Sequence, residues 1–335
     1  MNNSTESSPV RVGVIGTGSL GRHHARLYRE CEGAELVGIY DRDEAVADKV
    51  AAEFATRVFA SPGELMREVD GVSVATPTTC HFEMVKRLLD GGIHVLVEKP
   101  ITETVVEARE LVGMAAASGL ILHVGHVERY NPVLECLQRV PGTPRFIEAQ
   151  RLAAYPPPRP GLHPRGTEVS VVLDLMIHDL DVILHLVRDE VEQVAAIGVP
   201  ILSPSEDMAN VRLSFASGTV ANLTASRVSA TPCRRIQVFK NSAVLDLDYQ
   251  GQQGEIAYLE GREIVREPVP VRKTNALQDE LQDFVDCMVS LKHNRQPQSP
   301  RVTGEHGLEA LKLADWILRE IEKSSDRFWE HSPAE

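Results

Sequence analysis

Hydrophobic and polar positions in the first 125 residues follow two alternating patterns. Short runs of β-branched and aliphatic residues, typical of buried strands, are each followed by the i, i+3, i+4 spacing of an amphipathic helix. Alternation of this kind predicts a doubly wound parallel sheet, with right-handed crossovers and helices on both faces. The strands that the pattern locates are 10–15, 35–40, 71–75, 93–97 and 121–124, with intervening helices that include 44–54, 81–90 and 104–118.

From residue 128 onward the pattern is different. A nearly continuous apolar stretch, 171–187, predicts a helix that is buried on almost every side. Residues 194–266 then alternate with period two, and Ser217-Gly218 predicts a hairpin turn. Two amphipathic helices, beginning at Asn275 and Thr303, end the chain. The fold class is therefore α/β, with a C-terminal α+β domain built on a large open, mostly antiparallel sheet.

A glycine-rich sequence follows the first strand directly. Gly16-Thr17-Gly18-Ser19-Leu20-Gly21 opens the first helix, and Asp41 ends the second strand 20 residues later. This is the context of a dinucleotide fingerprint, in which glycines admit a pyrophosphate to the helix amino end and the acid bonds the adenosine ribose. Asp41 would repel a 2′-phosphate, so we expect NAD rather than NADP, although Arg42 could accommodate that phosphate. A structural turn beside a solvated aspartate is the alternative.

Two polar loops are predicted at the carboxyl edge of this sheet, where open α/β sheets bind their ligands. Thr76-Pro77 follows one strand where a nicotinamide ribose would lie, and His81 begins the next helix. His81 is equally compatible with a helix-start residue that has no chemistry. Glu98-Lys99-Pro100 ends another strand, and its proline stops the ladder and aims Lys99. A lysine so placed can stabilise a developing anion or share a proton.

Five polar residues interrupt the apolar stretch 171–187: Asp174, His178, Asp179, Asp181 and His185. At 100° per residue all but Asp179 fall on one stripe. Burying Asp174 and His178 costs folding free energy unless they bond to each other or to other groups, or have a catalytic function. Three interpretations follow. The pair is a general acid/base histidine oriented by an aspartate, a metal site, or a satisfied core pair. No further cluster with ligand spacing accompanies it, so we expect no metal.

A proline-rich loop at 155–167 belongs to a stretch in which positive charge is concentrated. The stretch between Glu148 and Glu168 contains no acid and three arginines, Arg151, Arg159 and Arg165. In a chain with 48 acidic and 35 basic side chains, this is a candidate cradle for a diphosphate, which arginine binds bidentately. A solvated loop with incidental arginines explains the same pattern.

Composition excludes several classes of partner. A formal charge of -13 argues against nucleic acid and against an anionic membrane surface. Five scattered cysteines without a CxxC pair indicate reduced thiols rather than a zinc site or a disulfide framework. The amino terminus is polar, and no apolar run approaches the length that crosses a bilayer. We therefore expect a cytoplasmic protein.

These motifs together resemble the Gfo/Idh/MocA family of sugar oxidoreductases over nearly the whole chain. The resemblance rests on residues 16–21, Asp41, Ala75-Thr76-Pro77 with His81, Glu98-Lys99-Pro100, and Asp174-x-x-x-His178-Asp179. It implies an NAD-binding Rossmann domain at 1–127 and a substrate-binding and oligomerisation domain at 128–335, with C-terminal helices that could return to the first domain. It also implies that Lys99, Asp174 and His178 line the place where the nicotinamide meets a sugar hydroxyl. The implied cofactor contacts are residues 16–21, Asp41, Arg42, Thr76, Pro77, His81, Glu98 and Lys99.

Within the family, residues 127–132, 166–187 and 210–229 are most similar to enzymes that oxidise the 3-hydroxyl of UDP-N-acetylglucosamine. The product is a ketone that a partner aminotransferase can aminate for lipid A or other cell-envelope glycans. The substrate contacts expected on this basis are Arg129, Tyr130, Arg151, Arg159, Arg165 and His178. The face of an open sheet commonly packs against the same face of a second copy of the chain, so a homodimer or homotetramer is expected. A dehydrogenase of inositol or of a non-nucleotide sugar, or a non-catalytic NAD-binding regulator, stays open.

Overall fold

The structure, a computed structural model, describes residues 8–157, 166–293 and 298–330; for residues 138, 139 and 325–330 it describes the backbone alone. The described residues fall into two compact units. The first comprises those of Met1–Tyr130 and Asn275–Leu308, and the second those of Asn131–Thr274 and Glu309–Glu335. Each unit contains one sheet. The domain boundary at 127/128 stays a prediction of the sequence.

The sheet of the first unit is parallel throughout and has six strands in the order β3-β2-β1-β4-β5-β6. The doubly wound fold expected from the sequence is confirmed. One strand, Arg57–Val58, is absent from the strands predicted from the sequence, because two residues are too few to show a period. The strands are β1 Val10–Ile15, β2 Ala34–Tyr40, β3 Arg57–Val58, β4 Gly71–Val74, β5 His94–Glu98 and β6 Leu122–Gly125.

Helix starts in this unit follow their capping residues. The Asp43 side chain accepts from the amides of Ala45 and Val46, and Thr104 forms a capping box with Glu107, so the helices begin at the next residue in each case. The α-helices among the described residues are α1 Ser19–Tyr28, α2 Glu44–Phe54, α3 Pro62–Met66, α4 His81–Asp90, α5 Val105–Ser118, α6 Ile177–Val187, α7 Ala276–Lys292 and α8 Gly304–Glu330. Helix α7 packs Leu281, Phe284 and Val285 into the same core as β1 and α1.

The second unit contains an eight-stranded sheet in the order β14-β13-β12-β11-β7-β10-β9-β8. Only the β7–β10 pair is parallel, so the prediction of a mostly antiparallel sheet is confirmed. One face of the sheet packs on α6, on the 3₁₀ segment Pro132–Arg139 and on the later part of α8. The strands are β7 Phe146–Leu152, β8 Val191–Val199, β9 Met208–Phe215, β10 Val220–Ser226, β11 Cys233–Phe239, β12 Ala243–Asp248, β13 Gln253–Glu260 and β14 Glu263–Pro268.

The helix predicted at 171–187 is interrupted near its start. Val172–Met176 forms a π-helical turn, and the regular helix α6 begins at Ile177. A π turn holds more residues than an α turn, so the spacing of 100° per residue does not hold across it. The predicted spacing therefore holds for His178, Asp181 and His185, which all lie within α6, but not for Asp174, which lies in the π turn. Asp181 is 2% exposed, and Asp174, His178 and His185 are partly exposed.

No helix among the described residues is both long enough and apolar enough to cross a membrane.

Candidate functional site

The glycine-rich loop after β1 is closed by contacts that only glycine permits. Gly16 has φ +85°, and a Cβ there would lie 2.8 Å from the carbonyl of Ala75. A Cβ on Gly21 would lie 1.7 Å from the carbonyl oxygen of Gly16. These two glycines therefore let the start of α1 pack directly on the loop and on the end of β4.

Gly18 serves a different purpose in the same loop. A Cβ on Gly18 would meet nothing within 4 Å, so no internal contact requires glycine at this position. Gly18 is also the N-cap residue of α1, where no side chain caps the helix and no acidic residue occupies the first turn. The amides of a helix start in this state can bind an anion with the help of the helix dipole. The loop thus fits the pyrophosphate of a dinucleotide.

Asp41, at the end of β2, is held against this loop. Its Oδ2 accepts from the Thr17 amide at 2.6 Å and from Thr17 Oγ1 at 3.1 Å, and its Oδ1 accepts from the Asp43 amide at 3.0 Å. A carboxylate can accept about four hydrogen bonds, so capacity for ribose hydroxyls remains. Arg42 is exposed beside it. The negative charge is thus fixed next to the proposed dinucleotide site.

His81 joins two loops at the carboxyl edge of the sheet. It is 1% exposed, and its Nδ1 lies 2.8 Å from the carbonyl oxygen of Pro100 while Nε2 lies 3.0 Å from that of Thr76. Burial lowers the pKa of His81, although both carbonyls favour its charged form. The neutral ring donates to one carbonyl at a time. His81 therefore holds the turn that carries Lys99 beside the loop after β4, and direct contact of His81, Thr76 or Pro77 with the cofactor stays a prediction.

Glu98, the last residue of β5, has an internal partner that the sequence did not reveal. Its Oε1 lies 3.1 Å from Nε2 of His24 on α1, and the two residues are 8% and 0% exposed. Burial opposes the charge on Glu98, but the hydrogen bond with His24 and the nearby charge of Lys99 lower the pKa of Glu98. The pair anchors the end of the strand that carries Lys99. The only sequence signal for His24 is a polar residue on the buried side of an amphipathic helix.

Lys99 itself is partly exposed at the carboxyl end of β5. A second residue that sequence reasoning missed, His126, directly follows the neighbouring strand β6 and is 1% exposed. Burial, helped by the charges of Lys99 and Arg129, lowers the pKa of His126 to about 3. His126 is therefore neutral at physiological pH and adds no positive charge beside Lys99.

Arg129 and Tyr130, which were expected to contact substrate, lie inside the first unit. Arg129 is 6% exposed, and its Nη2 donates to the carbonyl of Arg301 at 3.1 Å. The Tyr130 hydroxyl donates to Asp283 at 2.6 Å, and burial followed by the charge of Asp283 raises the pKa of Tyr130. These partners fix the 3₁₀ turn Val127–Tyr130 against α7, which carries Asp283, and against the segment before α8, which contains Arg301. Direct contact with substrate stays a prediction.

In the second unit, Asp174 lies in the π-helical turn and His178 in the first turn of α6. Asp179 is 2% exposed, and its two oxygens accept from Nε and Nη2 of Arg151 at 2.7 and 2.9 Å. This bidentate pair ties α6 to β7 at the residue next to His178. Arg151, 3% exposed, thus has an internal partner, and its contact with a diphosphate stays a prediction. Arg159 and Arg165 lie outside the described residues.

Three groups of residues that the sequence singled out are in contact within the units. Thr17 and Asp41 meet in the first unit, as do His81, Thr76 and the turn of Lys99, and Arg151 meets Asp179 in the second. π-Helical turns frequently occur at functional sites, which singles out the Asp174 segment. Across the described ranges, no group of three or more His, Cys, Asp or Glu side chains could hold a metal ion.

Comparison with known proteins identifies the family. Residues 10–126 match the model of an oxidoreductase family with an NAD-binding Rossmann fold, and residues 138–245 match the GFO/IDH/MocA C-terminal domain. The chain belongs to the Gfo/Idh/MocA family of oxidoreductases. The resemblance seen in the sequence is confirmed, and the fit of the glycine-rich loop to a pyrophosphate agrees with NAD as the cofactor of this family.

Two relatives with named activities are a sugar dehydrogenase and a polyol dehydrogenase. UDP-N-acetylglucosamine 3-dehydrogenase of Acidithiobacillus ferrooxidans is 38% identical over 290 residues, covering 84% of this chain and 89% of that protein. A solved structure of that enzyme has a TM-score of 0.85 at 36% identity, covering 94% and 98% of the two chains. The scyllo-inositol 2-dehydrogenase (NAD(+)) of Bacillus subtilis is 28% identical, covering 66% of this oxidoreductase and 68% of that protein.

Proposed function

We propose that this oxidoreductase uses NAD to oxidise the 3-hydroxyl of a nucleotide sugar, UDP-N-acetylglucosamine, to the 3-keto sugar. The observation that carries the proposal is the 38% identity to a UDP-N-acetylglucosamine 3-dehydrogenase, which extends over 84% of this chain. The glycine-rich loop supports the cofactor, because Gly18 leaves the start of α1 open to a pyrophosphate.

The residues of each unit have proposed roles in this reaction. Bound NAD supplies the acceptor for the hydride that leaves C3. His178 takes the hydroxyl proton as the general base, and Asp174 orients it. Lys99, partly exposed and carried by a strand end that Glu98 and His24 anchor, stabilises the developing alkoxide and shares the proton.

Asp41 supports NAD over NADP. Its carboxylate is held by Thr17 and Asp43, so it cannot turn away easily from a nucleotide on the loop. A 2′-phosphate would place negative charge against it in a site that should receive ribose hydroxyls. We expect Asp41→Ala to narrow the preference for NAD over NADP, as measured by the ratio of kcat/KM for the two cofactors.

One assay tests the proposed function. NADH absorbance is followed after mixing the protein with NAD and, in turn, UDP-N-acetylglucosamine, UDP-glucose, free N-acetylglucosamine and myo-inositol, and the product is identified by mass spectrometry. We expect NADH and a product two mass units lighter with UDP-N-acetylglucosamine, and a far lower kcat/KM with free N-acetylglucosamine. Turnover of free N-acetylglucosamine equal to that of the UDP-sugar would contradict recognition of the nucleotide.

A polyol dehydrogenase is the second candidate, since the scyllo-inositol 2-dehydrogenase of Bacillus subtilis is also similar to this chain. Faster NADH formation with inositol than with any UDP-sugar would favour it. A non-catalytic regulator would bind NAD and oxidise none of the four compounds. For the product of the main proposal, an aminotransferase that acts on the 3-ketone is the proposed next enzyme.

We also propose that the protein is a homodimer or homotetramer that pairs through the open face of the eight-stranded sheet. The opposite face is covered by α6 and α8. The open face carries a hydrogen-bonded polar ladder and, near its edge, an apolar pair: Leu259 on β13 and Ile264 on β14 face each other and are 65% and 73% exposed. Exposed apolar side chains on an open sheet face are a common feature of subunit interfaces.

A further inference from the structure

Gly166 lies against the carboxylate of Asp174. Its φ is +81°, in the left-handed region that favours glycine, and a Cβ there would lie 2.4 Å from Oδ2, 2.9 Å from Cγ and 3.3 Å from Oδ1 of Asp174. Any side chain at residue 166 would therefore displace the carboxylate. The main chain of Gly166 forms one wall of the place where the Asp174 carboxylate sits.

The carbonyl of Gly166 is in turn fixed by Arg227. Arg227 is 2% exposed and follows β10 directly. Its Nη1 donates to the carbonyl oxygens of Gly166 at 2.5 Å and Val169 at 2.8 Å, and its Nε donates to Asp207 Oδ1 at 2.7 Å. Its Nη2 donates to Ser203 Oγ at 2.9 Å and to Ser205 Oγ at 2.8 Å. A guanidinium has five N–H groups, so every donor of Arg227 is used inside the protein.

The carboxylate of Asp207 compensates the buried charge of Arg227. It is fully buried, and its Oδ2 accepts from the amides of Ile201, Leu202 and Ser203 at 2.8, 2.5 and 2.9 Å. Burial opposes the charge on Asp207, but the hydrogen bonds from Ser203 and Arg227 hold the pKa of its carboxyl well below the usual range. A buried ion pair with its remaining groups satisfied keeps one geometry, because any shift leaves a charge without partners.

We propose that Arg227 is a positioning residue for Asp174 and acts through the main chain of Gly166. Arg227 and Asp207 fix the carbonyls of Gly166 and Val169, and Gly166 then fixes the orientation of the Asp174 carboxylate. The catalytic consequence rests on the proposed function, in which Asp174 orients His178. A displacement of about 1 Å at a reacting group can reduce the rate about a hundredfold, even when the change lies away from the chemistry.

The substitution Gly166→Ala tests the contact, and Gly218→Ala is its matched control. Gly218 has φ +80°, so alanine causes the same backbone strain there, but its Cβ would meet nothing within 4 Å. Both variants should lose similar folding stability in urea denaturation. Only Gly166→Ala should lose kcat, by about a hundredfold, with an altered pH profile of kcat and an unchanged Kd for NAD.

Arg227→Lys is the second variant. It keeps the positive charge but cannot bond two carbonyls, two hydroxyls and a carboxylate at once, since an ammonium has three donors. We expect it to lower kcat and to alter the same pH profile while the protein stays folded. A structural role alone would lower the unfolding temperature and leave kcat unchanged. A folded Gly166→Ala or Arg227→Lys variant with wild-type kcat and pH profile would overturn the proposal.

A readout that does not use turnover separates this inference from the proposed function. The ¹³C resonance of the Asp174 carboxyl, assigned by its loss in Asp174→Asn, is followed through a pH titration of the full chain. We expect Gly166→Ala and Arg227→Lys to change the ¹³C chemical shift of the Asp174 carboxyl and its dependence on pH. Gly218→Ala should leave both as in wild type. Absence of sugar oxidation by wild type would defeat the proposed function alone, whereas an unchanged Asp174 resonance in Gly166→Ala would defeat the inference.

Discussion

Gly18→Ala should weaken NAD binding without unfolding the protein. Gly18 has φ -61°, which alanine adopts readily, and its Cβ would meet no protein atom within 4 Å. The cost in folding free energy should therefore stay below about 1 kcal/mol, the scale of glycine–alanine differences at helix starts. The new methyl group instead occupies the space through which the pyrophosphate approaches the first amides of α1.

The size of the effect follows from the hydrogen bonds at that helix end. A hydrogen bond to a charged group contributes about 1.5–3 kcal/mol, and the loss of one raises Kd roughly ten- to a hundredfold. NADH fluorescence titration measures Kd, and urea denaturation of the same samples measures the free energy of unfolding. Gly18→Ala should change the first and leave the second within about 1 kcal/mol.

Two other glycines of the first unit serve as controls. Gly113→Ala, in α5, places its Cβ where nothing lies within 4 Å and far from any phosphate-binding motif, so it should gain up to about 1 kcal/mol of stability and keep the wild-type Kd. Gly21→Ala would place its Cβ 1.7 Å from the Gly16 carbonyl oxygen, so α1 must shift and both quantities should suffer. A Gly18→Ala variant that binds NADH as tightly as wild type would refute the placement of the pyrophosphate.

Three further predictions concern pH, assembly and the buried pair of the second unit. Burial lowers the pKa of His123 to about 4 and that of His126 to about 3. The unfolded chain binds these protons near pH 6.5 and the folded chain does not, so the free energy of unfolding should fall as the pH drops from about 6.5 towards 4. The slope should be on the order of 1 kcal/mol per pH unit and per proton. His126→Gln should reduce this slope in urea denaturation, and an unchanged slope would contradict the role of His126. Leu259→Lys should lower the molar mass measured by light scattering, whereas Val106→Lys, at a still more exposed site of the first unit, should not. Identical masses would exclude the open sheet face as the subunit interface. Asp179→Asn should cost about 3–5 kcal/mol of unfolding free energy because the buried Arg151 loses the carboxylate charge that it bonds bidentately, and a loss below about 1 kcal/mol would contradict this role of the pair.

Periodicity was sufficient to predict the longer elements of the first unit. Strands buried on both faces read as apolar runs, and the caps Asp43 and Thr104 mark where helices start. The two-residue strand Arg57–Val58 was not predicted, because it forms by pairing with β2 and its own sequence shows no pattern. The π-helical turn Val172–Met176 was not predicted either, because an apolar run is compatible with both an α-helix and a π-helix.

The candidate site was predictable where a motif carries its own geometry. The glycine-rich loop and Asp41 follow from spacing, since the motif fixes the position of each of these residues relative to the first strand, the first helix and the second strand. The supporting partners were not predictable, because they come from distant parts of the chain: His24 is 74 residues from Glu98, and Arg227 is 61 residues from Gly166. A charged residue that a sequence offers as a ligand, such as Arg151, can equally have a buried partner, and only the fold distinguishes the two.

The most direct test of the account is NADH formation from UDP-N-acetylglucosamine by the wild-type protein and by Lys99→Ala. Wild type should reduce NAD, and Lys99→Ala should lose about a hundredfold or more in kcat while its Kd for NADH stays as in wild type. Equal turnover by the two proteins, or no NADH from wild type with this substrate, would contradict the proposed function.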